Sequence, residues 1–119
     1  MSTVNTIQKR GNLNEVHRIG TAGPGGAYHD YAIINKETQE ILAVVEMQKG
    51  PRYDKKARHG ALDSDLLEIV RDRLKAFQGN SYACEENAQA LVHVETALMW
   101  LNRRVEDRIE RQVLGTMQK

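Results

Sequence analysis

Arg104, Arg108 and Arg111 recur at i, i+4 and i+7, a spacing that sets three guanidiniums on one face of a helix. A guanidinium fork matches phosphate oxygens two at a time, so the chemistry this pattern suits is a clamp on phosphates. The competing reading is a solvated, self-neutralised stripe, because Glu106, Asp107 and Glu110 interleave with the arginines. Arg52 opens a second basic run, RYDKKARHG over residues 52–60, in which four of nine residues are Lys or Arg, and it is a candidate to join the clamp. Phe77 is either a core side chain or the flat apolar face on which a nucleobase stacks.

The sequence carries no matching pattern for covalent or metal chemistry. At 100° per residue Cys84 and His93 fall on opposite faces of a helix, so they do not pair as nucleophile and base, and Cys84 reads as a small core residue. The spacings CxxC, HExxH and HxH do not occur, and His17, His29, His59 and His93 read as surface or interface residues. Gly20 to Gly26 (GTAGPGG) lacks the Lys-Ser/Thr end of a Walker loop and the spacing of a dinucleotide fingerprint, so it reads as a turn. The expectation is therefore a protein with no catalytic residues, no metal and no cofactor. Seventeen Lys+Arg against sixteen Asp+Glu give a net charge of +1, too balanced for the basic footprint of a protein that grips nucleic-acid polymers.

Elements to position these residues follow from pattern. A chain of 119 residues fits one domain. Hydrophobic residues at 40% and charged residues at 28% are ordinary for a globular protein, and no run approaches the roughly 18 apolar residues of a membrane span. The N-terminus lacks the apolar stretch of a secretory signal and there is a single cysteine, so a reducing cytoplasm is the expected setting. Residues 1–14 are polar and aperiodic and read as a loose arm or edge segment. Residues 16–48 read as two or three antiparallel strands, the clearest being Tyr28 to Asn35 and Glu40 to Gln48, joined by the short polar Lys36-Glu37-Thr38-Gln39. Gly50-Pro51 ends them. Asp63 is placed as the N-cap of a helix over residues 63–78, with Leu66, Leu67, Ile69, Val70, Leu74 and Phe77 at helical spacing. A second helix is expected over residues 84–113, with Ser81 or a neighbour as its cap, and it is about 45 Å long at 1.5 Å per residue. Its stripe of Ala88, Leu91, Val94, Leu98, Leu101, Val105 and Ile109 is longer than one small domain covers, which points to a second subunit.

Several longer motifs then agree in order with a known family. The hairpin residues Asn87-Ala88-Gln89-Ala90-Leu91, Glu95 to Arg104 (ETALMWLNRR), Asp107-Arg108, Arg111, Val113 and Gly115-Thr116 resemble the C-terminal hairpin of the phage Thoeris anti-defence sponges of the first type. Gln48-Lys49-Gly50-Pro51, Asp65 to Val70, Asp72-Arg73-Leu74 and Phe77-Gln78 fit upstream at the same spacing, and the Ala-Leu-Met-Trp core is shared with anti-CBASS sponges. The likeness spans about residues 27–116.

The resemblance implies an α+β fold, a small antiparallel sheet followed by a long two-helix hairpin that oligomerises through the helices. It implies a phage protein in the infected host's cytoplasm that sequesters nucleotide immune messengers without cleaving them. The family's ligands are glycocyclic ADP-ribose molecules, and some members also hold cyclic trinucleotides within a hexamer formed as a trimer of dimers. Carried over by position, the ligand-contacting residues are Arg52, Phe77, Asn87, Arg104 and Arg108. This chain departs from typical members at Gln112, where they have glycine, at Met117, where they have histidine, and in the charge of Arg52 to Lys56. The reading from a different class is a small oligomeric regulator that binds protein or nucleic acid through its arginine-rich helix ends.

Overall fold

In the computed structural model, residues 1–112, 114 and 116 are described, and the chain divides into two compact units, residues 1–61 and residues 62–119. The first is a four-stranded antiparallel sheet in the order β1 (Ser2–Thr3), β2 (Asn14–Ile19), β3 (Asp30–Asn35) and β4 (Ile41–Glu46). The expectation of two or three strands misses β1, whose two polar residues carry no period to read; they pair with His17 and Arg18 at the sheet edge. The loop between β1 and β2 bonds within itself: Thr6 Oγ1 donates to the Gln8 carbonyl at 2.8 Å and Asn12 Nδ2 donates to the same oxygen at 3.0 Å.

The β3–β4 turn is built by Asn35, whose side-chain oxygen accepts the backbone N–H groups of Glu37 and Thr38 at 2.9 and 3.0 Å. Gln39 closes it in a left-handed conformation at φ 63°, which a polar residue tolerates at some cost. Beyond it the register shifts by one residue at Ile33/Ile34, a bulge that increases local twist. Ala32, Ile34 and Met47 form the buried core of this unit. On the outer strand β4, Ile41, Leu42 and Val44 remain half exposed.

The sheet does not stop cleanly at β4. Gln48 N–H donates to the Ala61 carbonyl at 2.7 Å and Ala61 N–H donates to the Glu46 carbonyl at 2.9 Å, so the chain leaves β4, loops out over residues 50–60 and returns alongside. That return requires glycine at position 60, because a Cβ there would stand 2.6 Å from the Glu46 carbonyl oxygen and from the Met47 carbonyl group.

The second unit is a helical hairpin. Helix α1 runs Asp63–Gln78, with Leu62 as its N-cap residue in place of Asp63. Asp65 reaches back to accept the Leu62 N–H at 2.9 Å, and Asp63 and Asp65 both sit favourably in the positive field of the first turn. Helix α2 runs Glu85–Glu110, 26 residues or about 39 Å. The expected helix end at Val113 lies outside the described residues. Cys84 caps α2, its Sγ accepting the Asn87 N–H at 3.4 Å, so it is an exposed terminus residue and not the core residue the sequence suggests. Leu66, Leu67 and Leu74 of α1 and Leu91, Val94, Leu98 and Val105 of α2 are half-buried, and Arg108 alone among the described residues of the two helices is fully buried. Across the pair Arg71 Nε meets Glu95 Oε2 at 2.7 Å, and that carboxylate holds the guanidinium above its usual pKa. The α+β class expected from the sequence is the class observed.

Gly60→Ala should destabilise the sheet unit by roughly 1–3 kcal/mol, the cost of forcing a methyl group against fixed atoms. Gly79→Ala is the matched control, since its nearest neighbours would lie at 3.5 Å. Urea unfolding midpoints of the two variants check this, and equal midpoints would show that the return strand yields freely.

Candidate functional site

Two of the candidate residues flank the turn of the hairpin. Phe77 is the second-last residue of α1, 37% exposed, with the Arg73 guanidinium 5.5 Å from its ring centre. A cation over one face of a ring is attracted by its quadrupole. Asn87 lies in the first turn of α2, half-buried, and its side-chain amide forms no hydrogen bond among the described residues. Gln78 Oε1 accepts the Cys84 N–H at 3.1 Å and fixes the turn between them. The free amide can donate and accept together, the property that reads a base edge or a ribose hydroxyl.

The arginines occupy the other end of α2, and the three are not equivalent. Arg104 is exposed. Arg111 is paired through Nε to Asp107 at 3.1 Å, as the self-neutralised reading has it. Arg108 is only 6% exposed, and Thr116 is among its partners, its carbonyl accepting from Nη2 at 2.9 Å. The chain turns back there, with Leu114 N–H donating to the Arg108 carbonyl at 3.2 Å. Gln112 makes that turn at φ 58°, a left-handed conformation that glycine adopts without strain, which gives the glycine of typical family members a physical reason. Three guanidiniums on one open face is thus corrected to one exposed, one neutralised and one turned inward.

Asn87 and Arg104 stand about 25 Å apart along α2 at 1.5 Å per residue. A single hairpin therefore does not bring the turn residues and the arginines to one small ligand.

Arg52 belongs to the sheet unit, exposed in the loop after β4. Its loop is two successive turns, Asp54 N–H to the Pro51 carbonyl at 3.0 Å and Ala57 N–H to the Asp54 carbonyl at 3.1 Å. The loop base is closed by Arg58, which by composition belongs with the other cations of the run. Arg58 N–H donates to the Lys49 carbonyl at 2.8 Å, its Nη2 donates to the carbonyls of His29 and Met47 at 3.0 and 2.8 Å, and its Nη1 meets Asp30 Oδ1 at 3.0 Å. Composition does not separate Arg58 from Arg52; only the return of the chain beside β4 does.

A cleft of about 640 Å³ lies along the hairpin between Ser64, Asp65 and Glu68 of α1 and Glu95, Leu98 and Val105 of α2, and none of the five candidates lines it. Its three carboxylates face one guanidinium, Arg71, so its field repels a phosphate. Among the described residues no group of His, Cys, Asp and Glu is arranged to hold a metal ion, and no helix is long and apolar enough to cross a membrane.

Comparison with known proteins meets this geometry at the hairpin. The model of the Acb2/Tad1 hairpin domain matches residues 40–106, from the start of β4 through most of α2. A curated relative, Thoeris anti-defense 1 of Bacillus phage SBSphiJ7, is 44% identical over 78 residues, which cover 66% of this chain and 54% of the relative. The chain thus spans about half the length of that relative. With β4, the basic loop, α1 and most of α2 inside the matched region, this chain belongs to the Acb2/Tad1 hairpin-domain family.

Proposed function

We propose that the protein is a phage anti-defence sponge, which binds a nucleotide immune messenger in the host cytoplasm and holds it without chemical change. The observation that carries this reading is the family match over β4, the basic loop and the hairpin. The messenger is glycocyclic ADP-ribose, and Arg52, Phe77, Asn87, Arg104 and Arg108 each contact it. Exposed Arg104 takes its phosphates, a charge-assisted contact contributing roughly 1.5–3 kcal/mol, and buried Arg108 joins it by exchanging its Thr116 carbonyl contact for a phosphate oxygen. Phe77 stacks on the adenine and Asn87 reads a polar edge.

The 25 Å between Asn87 and Arg104, roughly, requires two copies in this reading. One hairpin supplies Phe77 and Asn87, and a second, running the opposite way, supplies the arginines, so a two-fold dimer holds two equal sites. Apolar surface to drive the pairing is present: Ile69, Met99 and Trp100 are 59%, 71% and 63% exposed. The family resemblance extends this to three dimers in a hexamer.

Glycocyclic ADP-ribose incubated with the protein should disappear from free solution and return intact when the protein is denatured by heat. Recovery of a cleaved product identifies an enzyme, and no uptake identifies a regulator of another kind. Phe77→Leu should weaken binding roughly tenfold, within the 1–3 kcal/mol of a base–aromatic stack, while moving the melting temperature little because the ring is already 37% exposed. A large melting shift with unchanged affinity returns Phe77 to a packing role. Subunit mixing tests the two-copy site. Phe77→Ala chains and Arg104→Ala chains, each inactive alone, should regain about a quarter of the parental capacity when co-expressed, since half the random dimers carry one intact site of two. Failure to regain any capacity places the whole site within one chain.

A further inference from the structure

We propose that Arg58 is a positioning residue: by tying the base of the Gly50–Gly60 loop to β3 and β4, it sets where Arg52 meets the messenger, a role that rests on the reading of Arg52 above. The loop has its anchors at its base. Lys49 and Arg58 exchange both backbone hydrogen bonds, at 2.8 and 3.0 Å, and Gln48 accepts the Gly60 N–H at 3.1 Å and donates to the Gly50 carbonyl at 3.3 Å. At the tip, Arg52, Tyr53, Lys55 and Lys56 are all exposed, and Asp54 alone organises it, through its carbonyl, its N–H and its side-chain oxygen on the Lys56 N–H at 2.9 Å. The direction in which Arg52 leaves the sheet is therefore set at the base.

The Arg58 guanidinium makes that base rigid by meeting three acceptors at once. Two are the His29 and Met47 carbonyls, which already belong to the β3–β4 ladder through the Met47 N–H to His29 carbonyl bond at 2.8 Å. The third is the Asp30 carboxylate at 3.0 Å. A planar fork spans these positions, whereas an ammonium is a single point that reaches one or two. Nη2 spends both of its hydrogens on the two carbonyls, Nη1 meets the carboxylate and Nε is buried, so most of the Arg58 guanidinium is committed to the loop base. It acts through the loop, and a loop held in its bound conformation spares the messenger the cost of ordering it.

The test is a double-mutant cycle on the full chain, using Arg58→Lys, Asp30→Asn and Arg52→Ala, with affinity for glycocyclic ADP-ribose and trypsin cleavage after Arg52, Lys55 and Lys56 as readouts. Arg58→Lys should weaken binding about tenfold in the parent and less than about twofold when Arg52 is already alanine, because the loop then has nothing to position. Asp30→Asn, which keeps the carbonyl contacts, should give an intermediate loss, and it carries the test if Arg58→Lys does not fold. Cleavage in the loop should rise several-fold in both. An equal loss of affinity with and without Arg52, or cleavage unchanged from the parent, overturns the proposal. If Arg52→Ala binds as the parent does, the ligand role of Arg52 fails and the positioning role falls with it, while the cleavage pattern still reports whether Arg58 holds the loop.

Discussion

Leu91, Leu98 and Val105 of α2 are only half-buried, and that incomplete cover is the constraint under which the hairpin stands. Two helices in contact shield one stripe each. Closing a core takes a third surface. At roughly 25 cal/mol per Å² of apolar surface, the exposed Met99, Trp100 and Ile69 are area that the two helices leave uncovered. The pair is held in register meanwhile by a polar contact, Arg71 to Glu95 at 2.7 Å. Both groups remain more than a third exposed, 37% and 40%, so the ion pair orients the helices more than it stabilises them.

Arginines in this chain divide by what they touch. Arg58 and Arg71 direct their donors to carbonyls and carboxylates of their own unit and thereby fix a loop and a helix pair. Arg111 is neutralised one turn away by Asp107. Arg52 and Arg104 are exposed. Arg108 lies between these groups, desolvated yet among the candidates, with the Thr116 carbonyl among its partners. A net charge of +1 conceals all of this, because it counts structural and available cations alike.

The same distinction marks what is legible in the sequence. Helical spacing over residues 63–78 and the long apolar stripe after Cys84 identify the hairpin, since a period of 3.6 sustained over several turns is hard to produce in any element but a helix. β1 has no such signal; two residues do not make a period, and their pairing depends on a chain segment more than ten residues away. Cys84 is misread because a cysteine beside a helical pattern looks like apolar filler, whereas its sulfur accepts the cap hydrogen bond. The arginine triplet is legible as a face, but what each member touches is not. Spacing places side chains on one side of a helix, but it does not show that the chain doubles back after Gln112 to meet Arg108.

Placing turn residues and arginines at opposite ends of one helix has a thermodynamic consequence in the proposed reading. A ligand that needs one end from each of two copies binds the dimer and not the monomer, so each binding event stabilises the dimer by linkage. Dimerisation in turn is driven by apolar surface that a polar messenger does not touch. Affinity for the signal and assembly of the protein then reinforce one another without a moving part: the more messenger is released, the more of the chain is held in the state that captures it. A sponge has no turnover to rely on, so its capacity is set by the number of competent sites, and coupling site formation to assembly makes every associated pair of chains competent at both of its sites.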